Sequence, residues 1–255
     1  MKKFSKKQLE KIYQKFNKKE FIYPDPLWFL HKFKEKKDIE VVGLIASSLA
    51  YGNVKSIMNS IEKIMFILGD NPHDRLLEMN NKKILSSTSD FIHRFAKSEH
   101  ISALLISIRN ILKKYGTIEN CFLAGYNKND INILNTLTKF CASIYEEAAP
   151  LNPGHLIAKP EKKSSCKRLN LYLRWMVRRD DVDPGWWDIP KEKLIIPLDT
   201  HMHQLALKHN LTSRKGSSIT TALEITNNFK KFCAEDPVKY DFALTRQGIR
   251  GESVF

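Results

Sequence analysis

From Val54 onward, apolar residues return every three or four positions. Val54, Ile57, Ile61, Ile64, Met65 and Leu68 share one face of a helix, and Gly69 follows as a stop. The same period runs through most of the chain. It appears over residues 39–49, where Gly43, Ala46, Ser47, Ser48 and Ala50 let other backbones approach, and in a helix expected over 90–97. It returns in Ile101, Leu104, Leu105, Ile108, Ile111 and Leu112 before Gly116, in a short helix from Thr117, and over 131–145. Ile219, Leu223, Thr226 and Phe229 mark a later helix, and Asp236-Pro237 reads as the cap and first turn of a last one that Gly248 ends. No stretch alternates in the manner of a strand, so the fold class expected is all-α.

Residues 5–16 form a basic amphipathic helix, with Leu9, Ile12, Tyr13 and Phe16 on one face and lysines on the other. Docking on its own domain is favoured over a membrane surface. With 42% hydrophobic and 10% aromatic residues, the 255-residue chain can bury a sizeable core. Its formal net charge of +14 is the footprint expected of a nucleic-acid binder, with genome composition as the other source of a lysine excess. Cys121, Cys141, Cys166 and Cys233 lie far apart, which suits neither a zinc site nor an iron–sulfur cluster. They read as reduced packing residues of a cytoplasmic protein. Nothing resembles a signal peptide, and no apolar run reaches spanning length.

The chemistry concentrates in residues 164–204. Leu169, Tyr172, Leu173 and Met176 fall at helical spacing, with Ser164 or Ser165 as the expected N-cap. Lys167 then sits in the first turn, where the amide dipoles and the cations Lys162, Lys163 and Arg168 disfavour a further positive charge. Asp199 opens the next helix 32 residues later, after a loop rich in Pro, Gly, Asp and Trp. Either residue also has an ordinary reading, Lys167 as a solvated lysine and Asp199 as a plain N-cap.

Lys167-Arg168-Leu169-Asn170 followed by Leu198-Asp199-Thr200-His201 resembles the catalytic core of the helix-hairpin-helix DNA glycosylases, the superfamily of endonuclease III and the 8-oxoguanine glycosylases. The 32-residue separation is similar to that of the archaeal 8-oxoguanine glycosylases, and the chain looks like a bacterial branch of the superfamily. One departure stands out. The family's Gly-hydrophobic-Gly hairpin, which brings backbone amides up to a phosphate, is replaced here by Lys162-Lys163-Ser164-Ser165-Cys166.

The resemblance implies two helical lobes with a cleft between them. The expected divisions are residues 1–50 packing with the C-terminal lobe, a barrel-like lobe over 51–176, and 177–255 carrying the catalytic aspartate. It implies Lys167 as a Schiff-base nucleophile and Asp199 as the fixed anion. DNA contacts fall to Tyr51 and Asn53 in the turn before the Val54 helix, to Lys162, Lys163, Ser164 and Ser165, and to His201. The ordinary reading of Asn53 is that asparagine in a turn tolerates left-handed backbone angles. His201 and His203 point to different helix faces, poor geometry for a metal. The base pocket would draw on Trp186, Trp187, Phe242, Arg246 and Gln247, although the tryptophans can instead seal the loop onto the core and Arg246 can be a surface charge.

The expected function is a base-excision glycosylase with β-elimination (AP lyase) activity on an oxidised purine such as 8-oxoguanine. It would act as a monomer on double-stranded DNA with a damaged base, free of membranes, metal and cofactors, and nucleoid-associated when acting. A monofunctional glycosylase for another base, or a non-catalytic binder of bent or damaged DNA, are the alternatives.

Overall fold

Six of the α-helices among the described residues begin where a short polar side chain accepts a first-turn amide, which satisfies one of the donors that a helix start leaves over. In a computed structural model, which describes residues 4–250, Ser5 does this for α1 (Lys6–Phe16), in a capping box with Gln8. Asn53 does it for α3 (Val54–Leu68), after α2 (Lys36–Ser48). The chain continues through α4 (Pro72–Glu78) and α5 (Asn81–Ser87, capped by Asn80). A two-stranded hairpin follows, β1 (Ile92–His93) and β2 (Ala96–Lys97). Next come α6 (Ser98–Tyr115), α7 (Ile118–Leu123, capped by Thr117) and α8 (Leu134–Ala148). The last four are α9 (Lys167–Val177), α10 (Thr200–Lys208, capped by Asp199), α11 (Ile219–Lys230, capped by Ser218) and α12 (Asp241–Arg250). Helix takes 62% and strand 3%, so the protein is mostly helical, consistent with an all-α fold.

The chain divides into two compact units, and the division differs from the expected one. One unit holds residues 1–23, 131–134 and 159–255; the other holds 24–130 and 135–158. Residues 24–50 therefore belong with the α3 to α8 unit, because α2 is buried along almost its whole length against the Pro26–Lys32 turn, α4, α6 and α7. Residues 159–176 leave that unit and join the one that carries Asp199.

In the unit of residues 24–130 and 135–158, α2 and α6 are deeply buried helices. Buried polar groups there are matched: Glu40 accepts the Ile118 amide at 3.0 Å, Asp38 the His73 amide at 2.9 Å, and Arg109 donates to the Met79 carbonyl at 2.8 Å. In the other unit, α1 packs on α12 and buries Leu9, Ile12 and Phe16. Burying each such side chain is worth about 1.5–3 kcal/mol. Glu10 joins the contact, 2.8 Å from Lys239 and 2.6 Å from the Tyr240 hydroxyl. The amphipathic face of α1 is thus used inside its own unit.

Three local expectations are corrected. Residues 90–97 are a hairpin rather than a helix, because Arg94 holds a left-handed φ of 53° that reverses the chain. α12 starts at Asp241 rather than after Asp236-Pro237, since the Asp236 carboxylate is taken by Arg178, and it runs past Gly248 to Arg250. α8 starts at Leu134, leaving Ile131 outside it and exposed.

Candidate active site

Lys167 and Asp199 come together within one unit. Lys167 Nζ lies 3.8 Å from Asp199 Oδ2, and each side chain keeps more than a quarter of its surface exposed. Asp199 Oδ1 accepts the Met202 amide at 2.8 Å, so one oxygen caps α10 and the other faces the lysine. The N-termini of α9 and α10 therefore converge on this pair, and the α10 dipole favours the carboxylate's negative charge. An exposed ion pair contributes about 0–1 kcal/mol to stability, so folding alone gives little reason for this one.

The segment before α9 is built without glycine. Pro160–Lys162 makes a single 3-10 turn, Lys163 holds φ 59°, and Cys166, the N-cap, holds φ 49°. Two left-handed residues three apart cost about 1–2 kcal/mol each, and several bonds hold them. The Ser164 hydroxyl accepts the Cys166 amide at 3.2 Å, and Ser164 bridges Ser218. The Ser165 hydroxyl donates to the Leu198 carbonyl at 3.2 Å, which ties the start of α9 to the residue before Asp199. Asn170 donates to the Ser165 carbonyl at 3.0 Å, while its Oδ1 is buried without a hydrogen-bond partner. Neither serine is the N-cap expected from sequence; both hydroxyls are used to hold the turn. Lys162 and Lys163 are exposed beside it, and residues 159–168 carry five Lys or Arg against one carboxylate.

Burial pushes the Cys166 thiol up to about 11, and it does the same to Cys121, so neither is a ready nucleophile. His201 is exposed on the first turn of α10, whereas His203 is buried with Nε2 2.7 Å from the Arg214 carbonyl.

The base-pocket candidates separate. Trp187 is buried, edge-on to Tyr172 at 5.4 Å between ring centres, and seals the loop; Trp186 stays exposed. Their amides both donate to the Met176 carbonyl, at 2.6 and 2.8 Å, and close the end of α9. Phe242 is buried, with the guanidiniums of Arg246 and Arg174 over its ring at 4.9 and 5.8 Å. Arg246 is therefore no surface charge, and Gln247 is half-buried.

Sequence reasoning missed the buried ion cluster on which this unit rests. Arg174, seven residues after Lys167 on the same face of α9, donates to Asp183 at 3.1 Å and to Asp241 at 2.5 Å. Arg178 binds Asp183, Asp180 at 2.8 Å and Asp236 at 2.9 Å. Burial would lower the Arg178 guanidinium, but Asp183, Asp236 and Asp180 hold it well above its ordinary value. Burial pushes Asp241 up to about 6; Arg174 draws it back down and the Asp199 charge adds to the rise. The available signal was the pair of arginines four apart followed by Asp180-Asp181-Val182-Asp183.

Tyr51 and Asn53 lie in the other unit and both have structural duties. The Tyr51 hydroxyl donates to the His93 carbonyl at 2.8 Å and sits 2.9 Å from His155 Nε2. Asn53 holds φ −78° and spends its side chain on the Ser56 amide at 2.8 Å; the left-handed residue of the turn is Gly52, at φ 100°.

Across residues 25–250 the chain matches the family described as "Protein of unknown function (DUF2400)". No curated protein and no solved structure matches it.

Proposed function

We propose that this chain, which belongs to the DUF2400 family, is a DNA glycosylase with β-elimination activity. The observation that carries the reading is the pairing of Lys167 with Asp199 at 3.8 Å, each at the start of its helix and each partly open to solvent. The chain's net charge of +14 and the basic turn at residues 159–168 suit a polyanionic substrate.

In this reading the Lys167 amine attacks, through its nitrogen lone pair, the sugar carbon C1′ that bears the base. The N–C1′ bond forms as the bond to the base breaks, and the base leaves with that electron pair and takes up a proton. Asp199 faces the positive charge that develops on the sugar, held in place by its bond to the Met202 amide. The amine loses its proton and the sugar ring opens to an imine. Loss of a C2′ proton then expels the 3′ phosphate, and hydrolysis of the imine returns the amine. An oxidised purine such as 8-oxoguanine is the substrate proposed.

The test is borohydride trapping on duplexes containing 8-oxoguanine and on abasic duplexes, for the wild-type and Lys167→Ala proteins. Lysine-dependent adducts on both are expected. Trapping confined to the abasic duplex would retain the lyase and redirect the search to other bases. No adduct on either would end the Schiff-base mechanism.

A further inference from the structure

The turn at Tyr51–Asn53 is where side chains that enter DNA are expected from sequence, yet both are engaged at home. The exposed aromatic group beside that turn comes from the hairpin. β1 and β2 pair Ile92 with Lys97 and His93 with Ala96. His93 and Ala96 are buried, with His93 Nδ1 2.9 Å from the Ser60 hydroxyl on α3 and Nε2 3.0 Å from the Tyr51 carbonyl. Ile92 and Lys97 therefore share the outward face, and Arg94 and Phe95 form the tip.

Phe95 is 70% exposed and Ile92 68%. Phe66 on α3 is more open still, at 90%, so exposure alone singles out nothing; what distinguishes Phe95 is that the tip carrying it is held in place beside cations. The Arg94 guanidinium lies 5.4 Å from the Phe95 ring centre, and the His155 ring meets Phe95 edge-on at 6.3 Å. The Arg94 stem rests on Gly52 so closely that a Cβ there would meet Arg94 Cδ at 2.7 Å. His155 in turn packs on Tyr51 and His100. An aromatic ring projects from a short, anchored hairpin, with Arg94 and Lys97 beside it and Lys55 exposed in the first turn of α3. Asp90 and Glu99 are the exposed carboxylates nearest in sequence.

We propose that Phe95 is a stacking platform for an unpaired nucleobase, with Arg94 and Lys97 contacting the flanking phosphates. A ring face accepts any base, and adjacent cations match the backbone, so the surface fits a locally opened nucleic-acid strand. The inference rests on the glycosylase reading only for the class of partner.

The experiment measures affinity for a duplex carrying a tetrahydrofuran abasic-site analogue opposite an unpaired base, across a salt series. Wild type, Phe95→Ala, Phe95→Tyr and Lys97→Ala are compared. Phe95→Ala should weaken binding by about 5- to 100-fold at unchanged salt slope, and Phe95→Tyr should restore it. Lys97→Ala should reduce the slope by about one. Phe95→Ala binding within twofold of wild type would overturn the proposal. So would Phe95-dependent binding to phosphatidylserine vesicles but not to the duplex. Borohydride trapping is scored separately: no adduct together with Phe95-dependent binding would sink the lyase chemistry and leave this surface standing, and intact trapping with indifferent Phe95→Ala binding would do the reverse.

Discussion

Asp199 divides its two oxygens between two helices: Oδ1 takes the Met202 amide that starts α10, and Oδ2 stands 3.8 Å from Lys167 Nζ at the start of α9. A structural cap and a chemical partner are thereby combined in one carboxylate. The two roles can be separated by substitution. Asparagine caps a helix as well as aspartate does but carries no charge. Asp199→Asn should leave the unfolding free energy within about 0.5 kcal/mol of wild type, whereas Asp199→Ala should lose about 1 kcal/mol. Both should lower the single-turnover rate of base release by about 100-fold or more if the anion acts on the sugar. Urea melts alongside quenched-flow assays distinguish the effects.

Lys163 offers a trade between stability and grip. Its left-handed backbone suits glycine, and it is exposed. Lys163→Gly should stabilise the fold by about 0.5–1 kcal/mol, the relief of φ strain exceeding the added freedom of the unfolded chain. The same change should weaken DNA binding and reduce the salt slope by about one. Equal stability in urea melts would contradict the strain argument.

Gly185 permits no side chain. Its φ is 54°, and a Cβ there would collide with the Arg178 carbonyl oxygen. Gly185→Ala should cost about 2–5 kcal/mol, because the loop that closes α9 must shift away from it. Thermal unfolding by circular dichroism would read this as a clear drop in midpoint.

Asp241 gives a pH signature. Its carboxyl is raised to about 6, against an ordinary value of about 3.9 when unfolded. Between those values the folded state holds the proton more tightly than the unfolded state. Its contribution to stability is therefore fully present below about pH 4 and is lost as pH rises through about 6. Asp241→Asn removes the titration. Wild type should lose stability relative to Asp241→Asn between pH 4 and 7, by about 1.4 kcal/mol for each pH unit separating the folded and unfolded values, and the difference should be flat above that. Paired urea melts at several pH values check it; a wild type that gains on Asp241→Asn as pH rises would refute the assignment.

The sequence by itself determined the helices whose apolar period is long or whose ends carry caps. α1 with its Ser5 box, α3 between Asn53 and Gly69, and α6 ending at Gly116 follow from local spacing and local hydrogen bonds. It also singled out Lys167 and Asp199, because both lie at helix starts that a cap or an apolar stripe announces. Tertiary structure decided the rest. Residues 90–97 became a hairpin because His93 is drawn to Ser60 and the Tyr51 carbonyl, contacts more than 30 residues away that no local period encodes. Asp236 gave up its helix for Arg178, and Ser165 gave up its cap for Leu198, since a buried guanidinium or carbonyl left unmatched costs more than a shifted helix end. Lys167 and Asp199, 32 residues apart, meet in a unit where that serine, Asn170 and the Ser164–Ser218 bridge hold the turn before α9 in place.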